Sequence, residues 1–232
     1  MSEFRSGFVA LVGKPNVGKS TLVNALVGRS ISIISSKPET TRRRILGVMH
    51  GDNYQVVLVD TPGLGSSHTL LGRKLRDMEA DMVAFVVDTT HYPTKEDREA
   101  AEIFAKATCP KVLIANKVDV HESAEKVLPY LQAYSELGDF GDILPVSAQK
   151  GVNLDKFKAR ILEILPEGVA YFPPESFHDL DKRTRVEELI REQVLLSTRQ
   201  ELPHAVAVQV EDMKPGDNPE VTLIRAILYV ER

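Results

Sequence analysis

The sequence predicts an α/β fold: a mostly parallel sheet flanked by helices, followed by a smaller α+β segment. Three observations predict it. Short runs nearly continuous in Val, Ile, Leu and Ala recur through about residue 165. Amphipathic stretches alternate with them. A glycine-rich segment leaves the first run and opens the first amphipathic stretch.

The apolar runs are Phe8–Val12, Val56–Asp60, Val83–Val87, Val112–Ala115 and Ile143–Val146. Strands covered on both faces have this composition, because neither face can present polar side chains to water. The helical stretches are Thr21–Val27, Lys95–Lys106 and Leu154–Leu165. Strand–helix alternation implies parallel pairing with helices on both faces, and ligands then bind at the carboxyl ends of the strands. At Tyr171-Phe172-Pro173-Pro174 the pattern breaks, and two prolines read as a linker. A helix over roughly Arg183–Arg199 follows, with Val186, Leu189, Ile190 and Val194 on one face. Two alternating segments, Ala205–Val210 and Val221–Val230, flank the turn-forming Lys214-Pro215-Gly216-Asp217-Asn218. The predicted domains are 1–168 and 172–232.

Of the 232 residues, 43% are hydrophobic and 27% charged, enough apolar material for a sizeable core. The net charge of −4 does not announce a nucleic-acid binder. It is unevenly placed: 12 acidic and 8 basic residues lie from Tyr171 onward, which accounts for all of it. The one cysteine, Cys109, excludes an internal disulfide and fits a reducing cytosol. No apolar run approaches the ~20 residues of a membrane span.

Gly13-Lys14-Pro15-Asn16-Val17-Gly18-Lys19-Ser20 fits G-x-x-x-x-G-K-[ST], with Thr21 following, in the strand–loop–helix setting that gives the pattern meaning. The glycines let backbone N–H groups turn toward phosphate oxygens, and the helix N-terminus adds positive potential. Lys19 reaches the β- and γ-phosphates, and the Ser20 hydroxyl suits Mg²⁺. Asp60-Thr61-Pro62-Gly63 closes the second run. Its acid is placed to hold Mg²⁺ through water, and the Gly63 N–H to meet the γ-phosphate. Asn116-Lys117-Val118-Asp119 closes the fourth run. A carboxylate at Asp119 accepts from guanine N1–H and the exocyclic amine, whereas adenine leaves it unpaired. Lys117 lies along the base and Asn116 braces neighbouring loops. Ser147-Ala148 ends the fifth run, with the Ala148 N–H facing guanine O6 and Lys150 at the edge of the base. Thr41, before Arg42-Arg43-Arg44 and a further strand, completes the Mg²⁺ shell, with Thr40 the alternative. The three arginines read as a solvated face or as an RNA-phosphate contact. The six histidines show no ligand spacing.

These four motifs, in this order, resemble the TRAFAC-class small GTPases. More narrowly, the run from Gly13 through Gly28, with Thr40-Thr41-Arg42-Arg43-Arg44-Ile45 and Asp60-Thr61-Pro62-Gly63-Leu64, is similar to the Era family. So is the later run from Phe172 through Glu188-Leu189-Ile190-Arg191-Glu192-Gln193 to Leu202-Pro203-His204-Ala205-Val206. The resemblance implies a P-loop G domain, then a KH domain. It also implies GTP and GDP as ligands with Mg²⁺, slow hydrolysis, and assistance to small-ribosomal-subunit assembly through binding of its RNA. Cytoplasmic residence, with peripheral association at the inner face of the membrane, comes from the resemblance alone.

The KH pattern continues past its second strand into a G-x-x-G loop that clamps nucleic-acid backbone. That loop is not in the sequence, so the KH-like segment reads as partial and its RNA affinity as impaired. The stretch after Leu64 reads as several residues shorter than the family pattern. Leu64 also stands where Ras-like enzymes carry a water-orienting glutamine. Slow turnover is therefore expected, with Asn16 a candidate holder of K⁺ at the phosphates or else only a cap of the loop. A nucleotide-dependent switch without turnover is the rival reading. A tandem-domain Der-type GTPase is disfavoured by the single set of motifs. No stable oligomer is expected.

Overall fold

The computed structural model describes residues 3–33, 45–61, 80–197, 206–218 and 220–230. It divides into two compact units, with the break between Asp179 and Leu180.

The first unit holds a six-stranded sheet in the order β2-β3-β1-β4-β5-β6. Its strands are β1 (Arg5–Val12), β2 (Ile45–Gly51), β3 (Tyr54–Asp60), β4 (Met82–Asp88), β5 (Lys111–Asn116) and β6 (Asp142–Pro145). All neighbours pair parallel except β2, which joins β3 antiparallel through the tight turn at 52–53. The helices are α1 (Lys19–Val27), α2 (Lys95–Ala105), α3 (Ala124–Ser135) and α4 (Leu154–Ile164).

Successive side chains of a strand point to opposite faces, so each buried run feeds two cores. Val9 and Leu11 of β1 pack with Leu22 and Val23 of α1 and Phe157 and Ile161 of α4. Ala10 and Val12 pack instead with Ala101 and Phe104 of α2 and Tyr134 of α3. The α2 start carries a capping box, with Thr94 and Asp97 each bonding the other's backbone N–H. Helix α3 has no counterpart in the sequence reading. Its interior Pro129 and its few buried residues, Val127 and Tyr134, hide the periodicity.

The Pro-rich stretch at 171–174, which reads as a linker, belongs to the first unit, so the boundary at 168–172 moves to Asp179. The segment is fixed by backbone hydrogen bonds rather than by an element of its own. Buried Gln55 accepts from the N–H of Tyr171 (2.6 Å) and Phe172 (2.9 Å) and donates to Phe172 O at 2.8 Å. Tyr171 meets Phe8 edge-on with centroids 4.8 Å apart. Further on, Val48 N–H donates to Phe177 O at 2.9 Å, and Leu46 N–H to Asp179 Oδ1 at 3.0 Å. The strap thereby covers the open edge of β2, satisfying groups that an edge strand otherwise exposes.

The second unit comprises α5 (Lys182–Ser197), β7 (Val206–Pro215) and β8 (Thr222–Val230). The strands form an antiparallel hairpin with a bulge between Val210 and Asp212. Glu187 accepts from Val210 N–H at 2.9 Å, and Arg183 donates to Val210 O, docking helix to hairpin. Unlike the predicted apolar face, the buried side chain of α5 is Arg191, paired with Glu188 at 2.7 Å, while Leu189 stays exposed.

Candidate functional site

Because β1, β3, β4, β5 and β6 are parallel, their carboxyl ends share one edge of the sheet. Each predicted motif within the described residues begins at one of those ends.

The P-loop turns between β1 and α1. Gly13 takes φ 155°, and a Cβ there would sit 2.2 Å from Val86 O. Gly18 takes φ 100°, and a Cβ there would sit 2.3 Å from Asn116 Nδ2. Only glycine fits both places, the second because the base-motif asparagine packs against it. Asn16 holds a left-handed conformation at φ 64° at the exposed tip, beside half-buried Pro15. Val17 anchors the loop in the core. Lys19 is buried and donates to Gly13 O (2.9 Å) and Lys14 O (2.8 Å). Burial pulls its ammonium down to about 8, against the opposing pull of the Asp60 charge. The Lys14 side chain turns away from the loop. Its ammonium is buried against Asp97 at 2.8 Å, so Lys14 has only its backbone to offer a phosphate.

At the end of β3, Asp60 is fully buried and accepts from Ser20 Oγ at 2.7 Å. Burial raises its carboxyl pKa, opposed by the Lys19 charge and the Ser20 and Ser32 hydroxyls. A hydroxyl and a carboxylate at hydrogen-bonding distance, with Asp60 Oδ1 buried and without a hydrogen-bond partner among the described residues, suit an oxygen-loving cation such as Mg²⁺. Thr61 is committed elsewhere, donating to Leu11 O at 2.7 Å. Half-buried Thr21 lies in the first turn of α1. Thr40, Thr41, Arg42, Arg43, Arg44, Pro62, Gly63 and Leu64 lie outside the described residues.

Asn116 ties three loops together. Its Nδ2 donates to Val17 O at 2.8 Å, its Oδ1 accepts from Ala148 N at 3.0 Å, and its carbonyl accepts from Thr89 Oγ1 at 2.9 Å. The Ala148 N–H, expected to face guanine O6, is therefore engaged by Asn116. Ser147 Oγ in turn accepts from Lys150 N at 3.0 Å, closing the loop after β6 on itself. Lys117 sits at φ 67° and pairs with Asp88 at 2.5 Å. Burial works to raise the Asp88 pKa, but hydrogen bonds from Lys117 and Thr90 prevail and hold it below the ordinary range. Exposed Asp119 lies in the 3₁₀ turn Val118–Val120.

Sequence reasoning missed Asp88, Asp97, Asn24 and Ser32. Only Asp88 left a signal, as an acid at the carboxyl end of an apolar run like Asp60.

Comparison with known proteins agrees with this arrangement. Residues 8–117 match a family described as a 50S ribosome-binding GTPase. Over its full length the chain is 42% identical to GTPase Era of Mycobacterium avium, covering 81% of that protein. Over 99% of its length it is 38% identical to GTPase Era of Geobacter metallireducens, covering 78% of it. Among solved structures it is similar to Era bound to MgGDPNP and a segment of 16S ribosomal RNA. That match has a TM-score of 0.89 and 38% identity and covers 99% of this chain and 80% of the other. It is equally similar in TM-score, at 36% identity, to an Aquifex aeolicus Era variant bound to GDP and aluminium fluoride, covering 99% of this chain and 80% of that one. Likeness of this extent, carried by the same nucleotide loops in the same order, makes this chain a GTPase of the Era family.

Proposed function

We propose that this GTPase is a nucleotide-controlled switch that assists assembly of the small ribosomal subunit by binding its RNA. The observation that carries the nucleotide half is the meeting of the P-loop, Asp60 and the Asn116–Asp119 loop at one sheet edge. In this reading, Lys19 and the backbone of Gly13–Ser20 hold the phosphates, with Gly63 N–H reaching the γ-phosphate. Ser20 and Thr41 would hold Mg²⁺, with Asp60 acting through water. Asp119 reads guanine, Lys117 lies along it, and Ser147–Lys150 close over the base. Mg²⁺ supplies neutralisation of the phosphate charge that develops during hydrolysis. Asn16, at the tip of the loop, is the residue that would hold K⁺ against the phosphates.

The RNA half is supported by the likeness to Era bound to 16S ribosomal RNA, which spans nearly all of this chain. The second unit is the KH-like part of that reading. A ribosomal RNA partner supports a cytoplasmic location. Membrane attachment has only the family resemblance behind it, and no helix among the described residues is long and apolar enough to cross a membrane.

One experiment tests both halves. Binding of 16S ribosomal RNA is titrated at fixed salt with GDP or a non-hydrolysable GTP analogue bound, and GTP turnover is followed in K⁺ and in Na⁺. Tighter RNA binding with the GTP analogue and faster turnover in K⁺ are expected. RNA binding indifferent to the nucleotide would remove the switch, and equal rates in both salts would leave Asn16 a cap of the loop.

A further inference from the structure

Asp97 lies outside the nucleotide loops, in the first turn of α2, yet it is tied to the phosphate loop. Its Oδ2 accepts from Lys14 Nζ at 2.8 Å, and the two side chains are only 10% (Lys14) and 2% (Asp97) exposed. The same oxygen accepts from Thr94 N (2.9 Å) and Thr94 Oγ1 (2.7 Å), so one carboxylate caps the helix and holds the lysine. The helix is itself fixed, with Ala100, Ala101, Ile103 and Phe104 in the core.

Lys14 passes that hold to Lys19. The Lys14 carbonyl accepts from Lys19 Nζ at 2.8 Å, beside the bond from Lys19 to Gly13 O at 2.9 Å. Residue 14 is therefore pinned twice, by its side chain to Asp97 and by its carbonyl to Lys19. Its neighbour Gly13 has no side chain with which to fix the backbone. An ammonium held out of water needs a counter-charge, so without the Asp97 carboxylate the Lys14 side chain leaves its pocket for solvent.

We propose that Asp97 is a positioning residue of the phosphate site, acting through Lys14 to fix the first half of the loop and, with it, Lys19. The proposal rests on the reading of Gly13–Ser20 as the phosphate loop. The carboxylate is spent on Lys14 and Thr94, so it acts on a nucleotide only through them. Its loss loosens the grip on the phosphates beyond the first, while the loop of Asn116–Asp119 keeps its own contacts.

The test is displacement of fluorescently labelled GDP from the full chain by unlabelled GDP and by GMP, which lacks the β-phosphate that this reading gives to Lys19. In the unmodified protein GDP binds more tightly than GMP. Asp97→Asn keeps an acceptor oxygen for Thr94 and removes the counter-charge of Lys14. The preference for GDP over GMP falls about tenfold, as for one lost hydrogen bond to a charged group, and GMP affinity stays as it was. Lys14→Met removes the cation, keeps an apolar stem and shifts the preference the same way, which covers an Asp97→Asn protein that fails to fold. The double variant loses no more than the larger single effect, because both changes break one contact. An unchanged preference in either folded variant overturns the proposal, and so do effects that simply add. Equal weakening of GDP and GMP also overturns it, since that marks a merely structural ion pair. An unmodified protein that binds GDP no better than GMP would instead sink the phosphate-loop reading itself.

Discussion

Single side chains set the chemistry of the site, and two of them make sharp predictions. Asp119 stands exposed, and in the proposed reading its carboxylate meets the guanine edge. A site built on such a pair of acceptors rejects a base that lacks the donors by on the order of 10⁴-fold. Asp119→Asn replaces one acceptor by a donor, so GTP binding weakens and xanthosine triphosphate becomes the preferred ligand. Competition titrations of the variant check this, and a variant that still prefers GTP refutes it. Lys19 gives a pH dependence. Its free-state value of about 8 rises when anionic phosphates surround it. Below pH 8 the ammonium is charged in both states and affinity is flat. Above it, binding takes up a proton and affinity falls by up to tenfold per pH unit until the bound-state value is passed. Calorimetry of GDP binding from roughly pH 7 to 9, in buffers of different ionisation enthalpy, should show weakening with proton uptake; flat affinity would contradict it. The spacing of Lys19 and Asp119 within their motifs is readable in the sequence, because backbone loops and ligand chemistry demand it locally. The pairing of Lys14 with Asp97, 83 residues away, is not readable. Nothing in the local pattern says which lysine of the P-loop turns inward and which turns away. The same holds for the Ala148 N–H, whose partner Asn116 is found only by folding the chain.

At the scale of elements, the strands of the first unit were legible because parallel strands buried on both faces cannot be written with polar side chains. Helix α3 was not, since most of its surface faces water and Pro129 interrupts its pattern. The strap over 168–179 was misread for a different reason. Its hold on the sheet is made by main-chain groups and one buried amide, which leave no hydrophobic period to detect. That hold is testable. Gln55→Ala strands two N–H groups and one carbonyl at a half-buried place, where each costs about 1 kcal/mol, the low end of the range for unpaired groups. Allowing for partial relaxation, urea unfolding should show a loss of about 2–3 kcal/mol with an unchanged slope. A loss below about 0.5 kcal/mol would mean the strap is held by Phe172 and Tyr171 instead.

Over the whole molecule, burial is divided unequally. The first unit carries two full layers of core, while in the second unit every residue of β8 except Ala226 is exposed, including Leu223, Ile224, Ile227, Leu228 and Tyr229. A two-stranded hairpin with one helix is marginal by itself. An exposed apolar strand invites pairing with another chain, so weak self-association is expected at high concentration without a stable oligomer. Sedimentation velocity across a concentration series should show a rising average mass, and Ile224→Lys should abolish the rise. A series without concentration dependence would show that the strand is tolerated as it stands.

Asn116 has a consequence at this largest scale too. Its side chain holds Val17 of the phosphate loop and Ala148 of the loop after β6, and Gly18 lets it approach. On the proposed reading, base and phosphates would be gripped by one tied body rather than by independent fingers. A nucleotide would then not leave tail first while its head stays held. A factor that hastens exchange needs purchase on only one of the three loops, because a pull on any of them slackens the rest.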